Sequence, residues 1–448
     1  LVVGGGPAGV IAAFTAVKRD QQVILIDSKD FNEIGNKVCG DFIDLKSGLF
    51  LNTKLGIEPP QAAEVEDEIK TLIFKTPNAQ SQMSWDGYMI DRKMYGQRLL
   101  QEAKNAGVEI RDKNRAVSAL YSSNQITGAK VKNMVSGEKY AIKAKVTIDC
   151  SGRNFAIRKT LPPDRFPYLE KTALKKDMIT SYRQIIRLNP DQPDHEYHHQ
   201  LLIIIREDVP EPGYFWIFSK GERRLNVGIG WTMNVSAGRP MKEIFQNILQ
   251  EYYSPNQYVV EHEKGYSLSG RYPLMNAVAD GFMTAGDAAF HVNPAHGGGH
   301  APALVAGYYA GKIASDAIIS KDTSTEKLWK YNTQIMQYFG LEHALAQLVK
   351  ISYEKLGCKG FDFVLRRNIL SVDDFFTQEG PKEIHLDFLT KIAKVLRLLP
   401  RFGIILVLDK ISKLTPEISQ HFQDYPSHPD KYSDWYEAFA KLIHSMDS

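Results

Sequence analysis

The feature that most constrains the fold is a glycine-rich turn near the start of the chain. Gly4, Gly6 and Gly9 form a G-x-G-x-x-G pattern between a predicted strand and a predicted helix. The first glycine permits a tight turn, the second lets the backbone approach a pyrophosphate, and the third lets the helix pack on the strand. The helix N-terminus then turns its free N–H groups and positive dipole end toward the phosphates.

An acidic residue completes this pattern. Val23–Ile26 is wholly apolar, which is typical of a parallel strand buried on both faces. Asp27 ends this strand, where a carboxylate accepts hydrogen bonds from ribose hydroxyls. Turn, helix, strand and acid together predict a dinucleotide-binding unit. Its candidate contacts are Gly4, Gly6, Pro7, Ala8, Gly9, Asp27 and Ser28.

Length and charge limit the other classes of function. A chain of 448 residues predicts two or three subdomains, and a net charge of +3 is too small to indicate a nucleic-acid partner. Three scattered cysteines favour a reducing, cytoplasmic setting. With no run of 18 apolar residues and no signal peptide, we expect no spanning helix. The chain opens inside its first strand, so we expect upstream residues to be missing.

Two later stretches identify the dinucleotide. "TIDCSGRNFAIR" places Asp149 after an apolar strand, and "GFMTAGDAAFHVNPAHGGGH" places Gly286 and Asp287 after another. Pro294 and the glycines 297–299 follow, and then a helix rich in small residues. With the glycine turn, these stretches resemble the flavoproteins that include p-hydroxybenzoate hydroxylase, geranylgeranyl reductases and flavin halogenases. The resemblance covers roughly residues 1–320.

This resemblance implies FAD as the cofactor. Asp287 would accept a hydrogen bond from a ribityl hydroxyl, and Gly298 and Gly299 would open a helix toward the flavin pyrimidine edge. Arg92 would contact the cofactor near its phosphates. The further contacts that we carry over are Cys39, Gly40, Asp149, Gly286, Pro294 and Gly297.

The same resemblance implies the fold class. We expect an α/β protein with a Rossmann-like FAD-binding domain of the p-hydroxybenzoate hydroxylase type, a mostly antiparallel β substrate domain and a helical C-terminal region. The predicted boundaries are 1–60, 90–165 and 265–320 for the FAD-binding domain, 61–89 and 166–264 for the β-rich domain, and 321–448 for the helical domain.

Two short motifs indicate one branch of this group. The dipeptide Cys39–Gly40 follows the second strand, and "YFWIFSKGERRLNVGIG" sets Tyr214, Trp216 and Phe218 on alternate positions of a strand. Both resemble geranylgeranyl reductases, which saturate isoprenoid double bonds in archaeal membrane lipids or in the phytyl chain. Ser219 stands where this family usually has proline, and Cys150 where alanine is commoner.

The predicted catalytic residues are Cys39, Tyr214, Trp216 and Phe218. Reduction of an isolated alkene by a flavin develops positive charge on carbon, which aromatic faces stabilise. Cys39 would position the alkene or sense the redox state, and the alternative is a small buried hydrophobe. Cys150 and Cys358 are expected to be structural.

The substrate's length favours a membrane encounter. Burying a twenty-carbon chain gains on the order of 10 kcal/mol, so such a substrate partitions into lipid. Asp387–Leu414 interleaves Lys391, Lys394, Arg397 and Arg401 with apolar residues, a pattern that suits an interface on the cytoplasmic side of the membrane. The alternative is a helix packed on the protein's own core. No second G-x-G-x-x-G occurs, so NADPH and ferredoxin both stay open as transient electron donors.

Two rival functions share these motifs. A flavin monooxygenase acting on an apolar substrate has the same fold and the same flavin contacts. A non-catalytic prenyl-binding protein on this scaffold has little need for intact flavin contacts, and this chain keeps them. A halogenase is disfavoured because the W-x-W-x-I-P signature is missing.

Some polar clusters are predicted to be structural. His195, His198 and His199 lie in a loop rich in proline and aspartate, and we expect no metal there. His291, His296 and His300 are expected to pack or to hydrogen bond near the cofactor. Gly221–Arg224 predicts a hairpin turn with a solvated charge pair.

Overall fold

We describe residues 1–367 and 402–447 of a computed structural model. The strands are β1 (Val2–Val3), β2 (Ile24–Ile26), β3 (Phe42–Asp44), β4 (Val65–Lys75), β5 (Gln80–Ile90), β6 (Glu109–Arg111), β7 (Asn114–Ser122), β8 (Gln125–Asn133), β9 (Lys139–Lys143), β10 (Thr147–Asp149), β11 (Met178–Leu188), β12 (Gln200–Ile204), β13 (Tyr214–Ser219), β14 (Arg224–Thr232), β15 (Tyr258–Ser269), β16 (Val278–Ala279) and β17 (Phe282–Thr284). The α-helices are α1 (Pro7–Val17), α2 (Leu45–Leu55), α3 (Arg92–Asn105), α4 (Met241–Leu249), α5 (His300–Ile319), α6 (Thr325–Leu328), α7 (Lys330–Ile335), α8 (Leu341–Arg366), α9 (Phe402–Gln423) and α10 (Tyr432–Asp447).

A mostly parallel sheet carries the glycine turn. Its strand order is β16-β17-β10-β1-β2-β6, and β1, β2, β6, β10 and β17 run parallel. Helices α1 and α5 pack closely because α5 has glycine where they meet. A Cβ at Gly307 would lie 2.4 Å from Ala8 O, and one at Gly311 would lie 2.4 Å from Ala12 O. Small residues therefore bring α5, and the loop before it, close to the turn that opens α1.

A wide eight-stranded sheet forms the second layer. Its order is β15-β11-β14-β13-β12-β4-β5-β3, with antiparallel neighbours except for the β12–β4 pair. Alternation on β13 turns Phe215 and Ile217 toward α4, where they join the buried side chains of Ile244 and Phe245. Tyr214, Trp216 and Phe218 face the opposite way, into a large cavity.

A small sheet and a set of helices complete the described fold. Strands β7, β8 and β9 form a small antiparallel sheet, and helices follow α5 through the described part of the C-terminal region. Helix α8 is interrupted at Gly357, whose φ of 63° is left-handed. The predicted fold class is confirmed, whereas the domain boundaries stay a prediction. Within residues 1–367 and 402–447, no helix is long and apolar enough to cross a membrane.

One sequence prediction about a turn is half wrong. The hairpin after β13 exists, since Lys220 N donates to Arg224 O at 2.9 Å. The predicted solvated charge pair is wrong. Arg224 lies within the sheet, and its guanidinium pairs with Glu66 and Glu261 from two other strands. Those carboxylates are distant in sequence, so the local pattern could not show them.

Candidate active site

A cavity of about 1860 Å³ lies between the two large sheets and α8. It extends from Asp27 at the nucleotide end to Phe361 on α8. Most of the predicted site residues line it. They are Gly4, Gly6, Pro7, Ala8, Asp27, Ser28, Cys39, Gly40, Arg92, Tyr214, Trp216, Phe218, Gly286, Asp287, Pro294, Gly297, Gly298 and Gly299.

The glycine turn has the geometry that a pyrophosphate requires. Gly4 has a φ of 101°, and a Cβ there would lie 2.4 Å from Cys150 O. A Cβ at Gly9 would lie 1.8 Å from Gly4 O, whereas one at Gly6 would meet nothing within 4 Å. Gly4 and Gly9 are therefore glycine because backbone is pressed against them. Gly6 instead leaves a bare stretch of backbone facing the cavity, as a bound phosphate needs.

Gly9 and Asp149 do not line the cavity, unlike the other predicted cofactor contacts. Gly9 is held against the turn itself. Asp149 is fully buried, and its carboxylate accepts hydrogen bonds from Ser151 N at 3.0 Å and from Ile157 N at 2.9 Å. Asp149 therefore supports the loop after β10 and does not reach the cavity.

Two charged groups face the nucleotide end. The Asp27 carboxylate accepts from Gly5 N at 2.7 Å and from Lys29 N at 2.9 Å, which leaves further lone pairs for ribose hydroxyls. Arg92 is buried, and within the described chain its Nη1 has no hydrogen-bond partner. A buried guanidinium with a spare donor fits a phosphate oxygen. Together with Gly6, these residues fit the adenosine and pyrophosphate part of FAD.

Asp287 faces the cavity beside a lysine that was not predicted as a site residue. Lys37 Nζ donates to Asp287 Oδ2 at 2.7 Å and lies 4.9 Å from the centre of the Tyr266 ring. Burial lowers the pKa of Lys37, but Asp287 and Tyr266 outweigh burial and the pKa is raised overall. The ammonium therefore stays charged. Its position two residues before Cys39 was the only hint in the sequence.

Two histidines brace the loop that precedes α5. His291 Nδ1 accepts from Gly286 N at 3.2 Å, and His296 Nδ1 accepts from Gly298 N at 3.1 Å. Burial lowers the pKa of His291 to about 3 and that of His296 to about 4. Both rings are therefore neutral acceptors at neutral pH. Their expected hydrogen-bonding role near the cofactor loop is what the geometry shows.

Tyr214, Trp216 and Phe218 form an aromatic wall across the cavity. Ring centroids lie 5.9 Å apart for Tyr214 and Trp216, and 6.1 Å apart for Trp216 and Phe218. The Trp216 ring lies over Gly228, where a Cβ would come within 2.1 Å of it. The Tyr214 hydroxyl donates to His296 O at 2.6 Å, which ties the wall to the loop that precedes α5.

The Cys39–Gly40 dipeptide lies against this wall. A Cβ at Gly40 would be 3.2 Å from the Phe218 ring. Asn226, fully buried on β14, joins the two parts: its Nδ2 donates to Cys39 O at 3.0 Å, and its Oδ1 accepts from Trp216 Nε1 at 3.0 Å. Asn226 was not among the residues predicted from the sequence, although an asparagine inside the apolar strand "RLNVGIG" was a usable signal.

Ser219, which departs from the family's usual proline, has a specific partner. Its hydroxyl donates to Asp67 Oδ2, a buried carboxylate that also accepts from His199 N at 3.0 Å. His199 Nδ1 lies 2.7 Å from Asp67 Oδ1. Proline cannot make this hydrogen bond, so here a polar contact fixes the end of β13.

His195 and His198, from the same loop as His199, form a different cluster with Asp194. Ligand atoms of Asp194, His195 and His198 lie within 4.8 Å of one another. His195 Nε2 lies 2.8 Å from Gly221 O, while His199 is engaged with Asp67. The absence of a metal here stays a prediction.

Solved structures share the fold. A geranylgeranyl bacteriochlorophyll reductase-like protein from Thermoplasma acidophilum superposes with a TM-score of 0.73 at 22% identity, covering 95% of this chain and 98% of the other. A flavin-dependent brominase superposes with a TM-score of 0.65 at 16% identity, covering 89% of this chain and 98% of the brominase.

Sequence comparisons identify the family. Residues 1–154 match the model of the FAD dependent oxidoreductases, and residues 177–266 match the geranylgeranyl reductase catalytic domain. A digeranylgeranylglycerophospholipid reductase of Sulfolobus acidocaldarius is 29% identical over 97% of this chain and 95% of its own length. One of Methanosarcina acetivorans is 31% identical over 73% and 77%, respectively. The chain therefore belongs to the geranylgeranyl reductase family of FAD-dependent oxidoreductases.

Proposed function

We propose that this protein saturates isolated C=C bonds in geranylgeranyl chains of membrane lipid precursors. The observation that carries the proposal is the aromatic wall, which shares one cavity with the glycine turn and lies against Cys39–Gly40. The names of the relatives, which are reductases of a digeranylgeranyl glycerophospholipid, support this substrate class.

The wall would act on the alkene in two ways. When bound and reduced, FAD would supply the hydride for one alkene carbon, and a proton would have to reach the other. As the proton reaches one alkene carbon, positive charge develops on the other, which accepts the hydride; the faces of Tyr214 and Trp216 would stabilise this charge. Burial raises the pKa of Tyr214, so its hydroxyl stays protonated and hydrogen-bonded while the ring shapes the slot. Apolar residues beyond the wall, among them Ile203 and Phe74, would keep water away from the bound isoprenoid chain.

Named residues would hold the cofactor. The bare backbone at Gly6 and the free donor of Arg92 would bind the pyrophosphate, and Asp27 the ribose. Asp287, paired with Lys37, would meet the ribityl chain. The substitution Asp287→Ala is expected to lose FAD from purified protein; full FAD occupancy would refute this assignment.

Peripheral membrane contact and a transient electron donor belong to the same proposal. The basic residues Lys391, Lys394, Arg397 and Arg401 lie outside the described residues, and α9 begins at Phe402 directly after them. Replacing these four with glutamine is expected to weaken binding to anionic liposomes in flotation. Unchanged flotation would remove the docking idea. Parallel assays with NADPH and with reduced ferredoxin would identify the donor.

An anaerobic single-turnover assay tests the proposed reaction. Dithionite-reduced protein, freed of excess dithionite, is mixed with a geranylgeranyl lipid, and flavin absorbance is followed. We expect the flavin to reoxidise without oxygen in proportion to the alkene supplied. Reoxidation only after oxygen is admitted, with hydroxylated lipid, would favour a monooxygenase. Purified protein that neither contains nor binds FAD would overturn both enzymatic functions.

A further inference from the structure

The cavity face of the wide sheet changes from apolar to cationic along one row of residues. The registers of six neighbouring strands define this row, which runs Lys264, Arg183, Gly228, Trp216, Ile203 and Phe74. Neighbouring strands lie about 4.8 Å apart, so the backbone of Arg183 is about 10 Å from that of Trp216. Two cations thus stand on one side of the aromatic wall, and apolar side chains stand on the other.

Arg183 is buried without an adequate acceptor. The residue is 6% exposed and lines the cavity, and its Nε and Nη1 have no hydrogen-bond partner among the residues described. The nearest carboxylate oxygen, Asp41 Oδ2, lies 3.7 Å from Nη1. That oxygen already accepts from Lys220 Nζ and from Asn226 Nδ2, each at 3.0 Å. Since a buried guanidinium without acceptors is costly, its arrangement favours a negatively charged ligand in the cavity.

Lys264 extends the positive charge toward solvent. It stands directly opposite Arg183 on β15, is itself exposed and lines the cavity. Burial, followed by the charges of Arg183 and Lys264, lowers the pKa of His262 on the same strand. Among the charges that act on His262, those of Arg183 and Lys264 outweigh that of Asp41, so positive charge dominates at this end of the row.

We infer that Arg183 and Lys264 bind the phosphate group of the lipid substrate, an inference that rests on the proposed function. A guanidinium offers phosphate two parallel donors, and a lysine adds a point charge. A phosphate at Arg183 would direct the attached isoprenoid chain along the row, over Trp216 and toward Ile203 and Phe74. Dinucleotide donors also carry phosphates, but a row that continues into apolar wall fits an amphipathic ligand.

A pair of substrates that differ only in phosphate tests this inference. Digeranylgeranylglycerol phosphate and digeranylgeranylglycerol are compared in the same detergent micelles, with dithionite as the reductant so that no dinucleotide is present. The variants are Arg183→Gln, Arg183→Lys and Lys264→Gln, with Lys139→Gln on β9, outside the cavity, as the control. The readout is kcat/KM for the phosphorylated lipid divided by kcat/KM for the lipid without phosphate. FAD content and Tm are measured on the same samples.

We expect Arg183→Gln to lower this ratio about 10- to 100-fold, Arg183→Lys to restore part of it, and Lys264→Gln to have a smaller effect. An unchanged ratio in both glutamine variants would overturn the inference alone, leaving Asp41 as the ion-pair partner of Arg183. Loss of FAD from folded Arg183→Gln would assign the arginine to the cofactor and also overturn it. If Arg183→Gln does not fold, the ratio for Lys264→Gln decides. Reduction of neither lipid by the wild type would overturn the proposed function itself.

Discussion

The two ends of the cavity are built in different ways. At the nucleotide end, backbone determines the shape, because Gly4 and Gly9 are pressed against other main-chain atoms and Gly6 is left bare. At the aromatic wall, side chains from separate segments hold one another: Asn226 joins Trp216 to Cys39. On the proposed function, the first end would bind a group common to many flavoproteins, whereas the second would hold one class of substrate. Substitutions at the first end should therefore disturb the turn or FAD binding, and those at the second should disturb the wall or the reaction while FAD content stays unchanged.

The largest effect is expected at the glycine turn. Gly9→Ala would place a Cβ 1.8 Å from Gly4 O, so we expect the free energy of unfolding to fall by about 3 kcal/mol or more. Gly6→Ala is the matched control, because its Cβ meets nothing within 4 Å. It should leave the stability of the FAD-free protein close to that of the wild type and weaken FAD binding. Thermal melts and FAD titrations distinguish the two, and equal losses of stability would contradict the distinction.

Asn226 tests whether side-chain pairing holds the wall. Asn226→Ala leaves the Trp216 indole N–H and the Cys39 carbonyl without this buried partner, which should cost about 2–3 kcal/mol of unfolding free energy. The exposed Asn105→Ala serves as a control and should change stability by no more than about 0.5 kcal/mol. Denaturant unfolding measures both. Similar small changes in the two variants would mean that the hydrogen bonds of Asn226 contribute little to stability.

Trp216 tests whether the wall serves the reaction. Trp216→Ala should slow isoprenoid reduction about 10- to 30-fold, the loss expected for one cation–π contact, while FAD content stays near that of the wild type. Gly228→Ala should slow it too, since its Cβ would overlap the indole ring at 2.1 Å. Gly230→Ala, with a nearest contact of 3.2 Å, should have a smaller effect. A parallel loss of FAD and activity in Trp216→Ala would make the ring structural.

The nucleotide end was also the part most readable from the sequence. The turn, α1, β2 and Asp27 are consecutive, so one local pattern contains the geometry. The aromatic wall was predictable, because alternation on β13 showed that Tyr214, Trp216 and Phe218 share a face. The charged groups near it were not predictable, because Asp41, Lys220 and Arg183 are distant in sequence and meet only in the folded sheet. For the same reason the partners of Arg224 and Ser219 could not be anticipated.

The smallest effect is expected at Glu342, which lines the cavity on α8. Burial, with the nearby charge of Asp44, raises its pKa from 4.5 to about 7. The folded protein therefore holds a proton that the unfolded chain has released between these pH values, so wild-type stability falls across this window relative to Glu342→Gln. Because Glu342 is only half-buried, we expect the two proteins to differ by about 1 kcal/mol above pH 7 and not at all below 4.5. Thermal melts of both proteins across this pH range check the prediction. A stability difference between them that does not change with pH would contradict it.

Mass spectrometry of the lipid product tests the central claim most directly. Dithionite-reduced protein is incubated without oxygen with a digeranylgeranyl glycerophospholipid, beside the Trp216→Ala variant. The wild type is expected to add two hydrogens for each double bond reduced, with the variant lagging at equal FAD content. A lipid recovered unchanged from FAD-loaded wild-type protein, or one that gains oxygen only when air is admitted, would contradict a reductase built around this cavity.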